Sequence, residues 1–194
     1  PLTLDARGLY VGVQLSFETL HVQSATAVLT MQEQVLPTLD AQANVDAPRL
    51  ADAWPGLLGS LHARLSARGP LRAPHVTADA RIEALSYQGL KLRHAQLKAD
   101  VDPRGQLDVD LELRDADAGV AIPKATLAIH GPVNNHDIRL DVSSAQGDIA
   151  LAANGALDIA RPSWHGELRS GRLAPTRLAP WTLEQASAIQ FDAG

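Results

Sequence analysis

Asp100, Asp102, Asp108, Asp110 and Glu112 lie close together in the middle of this chain, and oxygen-rich groups of that kind can hold calcium. Their spacing argues for something plainer. Asp108, Asp110 and Glu112 occupy every second position of GQLDVDLELRD, so they form the polar half of one strand and a solvated face. DADAG, with Asp115, Asp117 and Gly119, resembles the opening of a calcium loop but lacks the later ligands and the terminal Glu. The histidines, His21, His62, His75, His94, His130, His136 and His165, are scattered without HExxH or another metal-ligand spacing, and they read as surface residues. Ser143 and Ser144 sit in SSAQG without a GxSxG elbow or an SxxK pair, and no cysteine exists to act as a nucleophile. Neither GxGxxG nor a phosphate loop occurs. No catalytic residue, metal ligand or cofactor site is assigned, and the motif census points away from an enzyme.

The acidic pattern belongs to a wider one. In GSLHARLSARG, Leu61, Ala63, Leu65 and Ala67 point one way and His62, Arg64, Ser66 and Arg68 the other, which describes a strand with one dry and one wet face. The alternation returns in HVTADARIEAL, GQLDVDLELRD, HDIRLDV and GDIALAANGALDI, at intervals of roughly 10 to 15 residues. Breaks at GPLRAP, YQG, DPRG, DADAG, GPVNN, AQG and ARPS supply Gly, Pro or Asn where a chain must turn. Nearly all of the chain therefore reads as antiparallel sheet, repeated in shape rather than in exact sequence.

The 194 residues are 45% hydrophobic, which excludes a disordered chain and allows one large all-β domain or two small ones. The apolar residues are chiefly Ala, Leu, Val and Ile, with seven aromatics (two Phe, two Tyr, three Trp) and one Met. Bulky aromatics usually dominate a closed core, so this palette suits a shell of uniform depth better than a compact ball. A net charge of −5 and the lack of any Lys/Arg run argue against a nucleic-acid partner. No stretch approaches the roughly 18 apolar residues of a membrane-spanning helix. Pro1 leads into LTLDARG without a start Met, which suggests a segment excised from a longer protein.

Residues 1–45 read as preceding strands: LTLDA, LYVGVQLSFETLHV, SATAVLTMQ and, after a turn at Pro37, one more. Residues 46–58 differ. Asp46 can cap a helix, Pro48 suits its first turn, and Leu50 and Trp54 stand at i and i+4, so a short helix is expected near 47–54, stopped at Pro55. Trp54 either packs that connector onto the sheet or acts as a gate in a groove. Residues 59–194 form the main β array, and the whole is one β-rich segment.

Three stretches taken together resemble the periplasmic repeats of the TamB family, and more broadly the AsmA-like superfamily. They are WPGLLGSLHARLSARGPLRAPHVTADARIEAL, then IHGPVNNHDIRLDV running into GDIALAANGALDIARPSWHGEL, and PWTLEQASAIQF, with the order GALD, Trp164, Gly166, Trp181 and Leu183 the most family-like. The resemblance spans roughly Asp46 to Phe191. It implies an open β-taco: a long curved antiparallel sheet folded lengthwise around a hydrophobic groove. It also implies a periplasmic place in an inner-membrane-anchored parent, phospholipid as cargo, and a TamA-like outer-membrane barrel as partner through parts of the parent not present here.

On that basis the side chains expected to line the groove are Leu61, Leu65, Val76, Ile82, Leu97, Val101, Leu107, Val109, Leu111, Leu113, Leu127, Ile129, Ile138, Leu140, Val142, Ile149 and Leu151. The expected function is to carry phospholipid between the two membranes in support of outer-membrane assembly. A chaperone-like scaffold that presents strand edges to outer-membrane proteins is the alternative. Self-association through open sheet ends is a further expectation.

Overall fold

The computed structural model describes residues 3–11, 14–23, 28–31, 38–158 and 163–192. Strands β1 (Thr3–Val11), β2 (Gln14–Gln23) and β3 (Val28–Met31) form a three-stranded sheet. LYVGVQLSFETLHV, expected as one strand, is divided between β1 and β2, which pair back to back with Val11 opposite Gln14. The turn expected at Pro37 lies outside the described residues, as does most of the break at ARPS.

The remaining strands build one eleven-stranded antiparallel sheet: β4 (Thr38–Ala47), β5 (Leu58–Pro70), β6 (His75–Tyr87), β7 (Leu90–Val101), β8 (Gln106–Asp117), β9 (Ala121–Pro132), β10 (His136–Ser144), β11 (Gly147–Asp158), β12 (Ser163–Pro175), β13 (Trp181–Thr182) and β14 (Ser187–Asp192). β4 to β12 pair in sequence order as a simple meander, and β13 and β14 share the outer edge of β12. The path never returns to pair β4 with the last strands, so the sheet is open.

Local chemistry explains the meander. Gln88 and Gly89 form the two-residue loop between Tyr87 and Leu90, and both have positive φ (47° and 89°), the type I′ geometry that matches strand twist. At DPRG, one Asp102 carboxylate oxygen accepts the backbone N–H groups of Arg104 and Gln106, both at 2.8 Å.

The helix expected near 47–54 contracts to one 3-10 turn, Leu50–Asp52. Asp46 caps nothing, because β4 runs on to Ala47 and Asp46 instead pairs with His62 at 2.9 Å. Arg49 occupies the N-cap position without a side-chain capping bond, its Nε reaching the Asp52 carboxylate at 3.2 Å instead, and Pro55 leaves no room for a second turn.

Among the described residues the sheet has no second layer to close against. Among the described residues Ala47, Ala95 and Ala125 are the buried hydrophobic ones, and no side chain falls below 2% exposure. The chain exposes 13378 Å², where a compact monomer of its 20.6 kDa would expose about 8,900 Å². One-sided alternation without a facing layer gives a half-covered apolar face instead of a core.

Candidate functional site

Because strands in register put directly opposite residues on the same face, the pairing itself assembles the apolar strip. The central row runs Val45, Ala63, Ala80, Leu97, Leu111, Leu127, Leu140 and Leu151 from β4 to β11. At about 4.8 Å per strand it is roughly 34 Å long. Flanking it on one side are Ala43, Leu65, Ala78, Ala99, Val109, Ile129, Ile138 and Ala153. Beyond them come Ala67, Val76, Val101 and Leu107. On the other side lie Ala47, Leu61, Ile82, Ala95, Leu113, Ala125, Val142 and Ile149.

The register thus puts all seventeen residues expected in the groove on one face. Sixteen are half-buried, and Leu65 is 44% exposed. Trp54 does not join them. Trp54 is 61% exposed at the turn after Leu50–Asp52.

The other face is wet and charge-alternating. Across it, Arg64, Asp79, Lys98 and Asp110 stand opposite one another in turn. His62 pairs with Asp46 at 2.9 Å, His75 with Asp100 at 2.8 Å and His130 with Asp108 at 2.9 Å. Arg114 donates to Glu112 at 2.6 Å, and this hydrogen bond holds the Glu112 carboxyl below its ordinary range and the Arg114 guanidinium above its own. All of these groups are solvated, so they favour solubility and register more than stability.

The candidate calcium ligands therefore do not converge as one set. Asp100, Asp102 and Glu112 are engaged with His75, the DPRG turn and Arg114 respectively. Asp115 pairs with Arg93 at 3.3 Å while Asp117 caps Gly119 at 2.9 Å, so DADAG is a turn. Among the described residues, Asp108, Asp110 and His130 bring ligand atoms within 4.8 Å of one another, all exposed on the wet face. The Ser144 hydroxyl donates to the Gly147 carbonyl at 2.7 Å and closes the AQG turn.

One group on the apolar face was not legible as a unit. His136, 3% exposed, stands opposite Gly155, which stands opposite Gly166. Trp164 lies across both glycines and its Nε1–H donates to His136 Nε2 at 2.9 Å. The other ring nitrogen, Nδ1, donates to the Val133 carbonyl at 3.1 Å, which makes His136 the neutral Nδ1–H tautomer. A side chain at Gly155 would put its Cβ 2.6 Å from Trp164 Cε2 and from the His165 carbonyl, so only glycine admits the indole. Phe191 continues the stack, its ring centroid 6.1 Å from that of Trp164. GALD followed by SWHG, the most family-like stretch, is the sequence of this lock. His136 itself, twenty-eight residues upstream, carried no sign of it.

The strip offers hydrocarbon contact along its length and few inward polar atoms. It can solvate an extended apolar molecule without fixing it at one point, unlike a pocket built around convergent polar groups.

Two comparisons with known proteins were positive. The family model described as "TamB, N-terminal domain" matches residues 4–194, reaching earlier in the chain than the resembling stretch from Asp46 to Phe191. The "Translocation and assembly module subunit TamB" of Haemophilus influenzae is 23% identical over 157 residues, 79% of this chain. The chain spans 12% of the length of that relative. No solved structure matches.

Proposed function

This chain belongs to the TamB family, and from that premise we propose that it is a segment of a periplasm-spanning, inner-membrane-anchored parent whose apolar strip carries phospholipid toward the outer membrane. The role is conduction rather than catalysis. One observation carries the reading: four adjacent rows of Ala, Leu, Val and Ile stay largely half-open across the sheet, with no second layer among the described residues to cover them. Each methylene moved from water into such a trough gains about 0.8 kcal/mol, so one acyl chain gains on the order of 10 kcal/mol. That suffices to hold a chain out of water. Because the gain is spread along equivalent rows, the lipid slides without crossing a deep well. Head groups remain at the mouth, in contact with water.

Within the module the parent works with a TamA-like barrel through parts outside this segment. Transport of lipid then supports assembly of the outer membrane and its proteins.

A second reading is favoured by one feature, the open edge formed by β13 and β14, where Trp181 is 66% and Phe191 65% exposed. An unpaired edge with exposed aromatics can accept another strand, from an outer-membrane protein in assembly or from a second copy. Photocrosslinkers in the full-length parent separate the two. Phospholipid captured at Leu140 supports the conduit, whereas polypeptide captured at Ala188 with no lipid at Leu140 supports the scaffold.

A further inference from the structure

Strict alternation fails along one line across the sheet. Ladder pairs form between Glu83 and His94 and between Leu85 and Leu92, but not between Ala84 and Arg93. On the next strands, His94 pairs with Arg114 and Leu92 with Ala116, again skipping one position. Arg114 pairs with Lys124 and Ala116 with Ile122, skipping Asp115 and Pro123. The interruption thus crosses β6 to β9 in a single row. Two of its members carry positive φ without being glycine, Ala84 at 50° and Asp115 at 52°.

A left-handed residue inside a strand resets which face the following residue occupies. Exposure follows the reset. Ala84, Arg93, Asp115 and Pro123 are exposed, while Leu85, Leu92, Ala116 and Ile122 beyond them are half-buried. The sequence carries the same signal: IEAL, LRHA, LRDA and IPKA each set two apolar positions three apart, around a pair that faces water. Proline at 123 fits, because its missing N–H falls where no ladder bond is made.

We propose that Leu85, Leu92, Ala116 and Ile122 are a fifth row of the apolar strip, which extends one wall of the groove to cover the head-group end of a phospholipid acyl chain. The proposal rests on the conduit reading above. On β8 the strip from Leu107 to Leu113 spans about 20 Å at 3.3 Å per residue, and extending it to Ala116 makes about 30 Å. Folded lengthwise about the central row, the wall from Leu111 to Leu113 is about 7 Å and its extension to Ala116 makes about 17 Å, facing about 13 Å from Leu111 to Leu107. A bilayer core of about 30 Å implies about 15 Å per leaflet chain, so the fifth row is what matches the wall to the chain. With four rows, the methylenes nearest the glycerol would stand in water.

The test is photocrosslinking in cells expressing the full-length parent, with benzophenone side chains at positions 92, 122, 93, 124 and 111 and adducts assigned by radiophosphate-labelled phospholipid. The expected result is phospholipid at 92, 122 and 111, with at least fivefold less at 93 and 124. Labelling at 111 with none at 92 and 122, or equal labelling at 92 and 93, overturns the fifth row alone. Silence at all five, including 111, overturns the conduit reading and the fifth row with it.

Discussion

Replacing Leu111 by aspartate puts a carboxylate in the middle of the central row, between Leu97 on one neighbouring strand and Leu127 on the other. Leu111 is already half-buried, so the part of its burial that a lipid chain completes is worth about 1 kcal/mol. The carboxylate adds a penalty of about 2 kcal/mol when the chain covers it, or forces the chain to lift away at a similar cost. A barrier of about 3 kcal/mol slows passage roughly a hundredfold if lipid must cross that row. Folding is affected less, because the new carboxylate keeps access to water in the lipid-free sheet. The assay is lipid movement between membranes by the full-length parent carrying Leu111→Asp, with Asp110→Ala as the wet-face control and circular dichroism to check the sheet. Transport by Leu111→Asp within twofold of the parent, with the sheet intact, would refute the reasoning.

Gly155→Ala should evict the Trp164 indole and lose its bond to His136, destabilising the segment by about 2–4 kcal/mol in urea and red-shifting tryptophan emission; an unchanged midpoint would show that the lock is not tight. Ala84→Gly should be neutral or stabilising by up to about 1 kcal/mol, because it relieves a left-handed alanine, whereas Ala80→Gly should cost about 1 kcal/mol; equal losses in urea would contradict the face reset. Glu112 is held below its ordinary value of 4.5 chiefly by the hydrogen bond from Arg114. A carboxyl depressed in the folded state stabilises fully above the unfolded value and loses that contribution as pH falls through the folded one, so the effect fades below about pH 4.5. Carboxyl NMR should find its midpoint below 4.5, shifting up in Arg114→Gln; a midpoint at or above 4.5 in the parent contradicts the pairing.

Period-two patterning made the sheet legible because, among the described residues, no second layer packs on it: Leu107, Val109, Leu111 and Leu113 alternate with acids on the solvated face. The same simplicity made the apolar face legible residue by residue. The turn at Leu50–Asp52 reads as a helix in sequence, since Asp46 and Pro48 carry helix-start chemistry while the pairing of Asp46 with His62 depends on a strand partner sixteen residues away. β1 and β2 read as one strand because a tight hairpin between similar strands leaves little composition contrast. The fifth row escaped because its signal is a coordinated slip on four strands, visible only when IEAL, LRHA, LRDA and IPKA are aligned by register. His136 escaped because its partner Trp164 reaches it across an intervening strand, over glycines whose purpose no local pattern reveals.

The central claim is that the half-open apolar strip holds phospholipid. Native mass spectrometry of the full-length parent, released from the membrane and stripped of detergent, tests it most directly when the protein is compared with a variant carrying aspartate at Leu97, Leu111 and Leu127. Bound phospholipid on the parent, reduced at least tenfold in the folded variant, is the result expected. Equal phospholipid on both proteins, or none on the parent, would contradict the account.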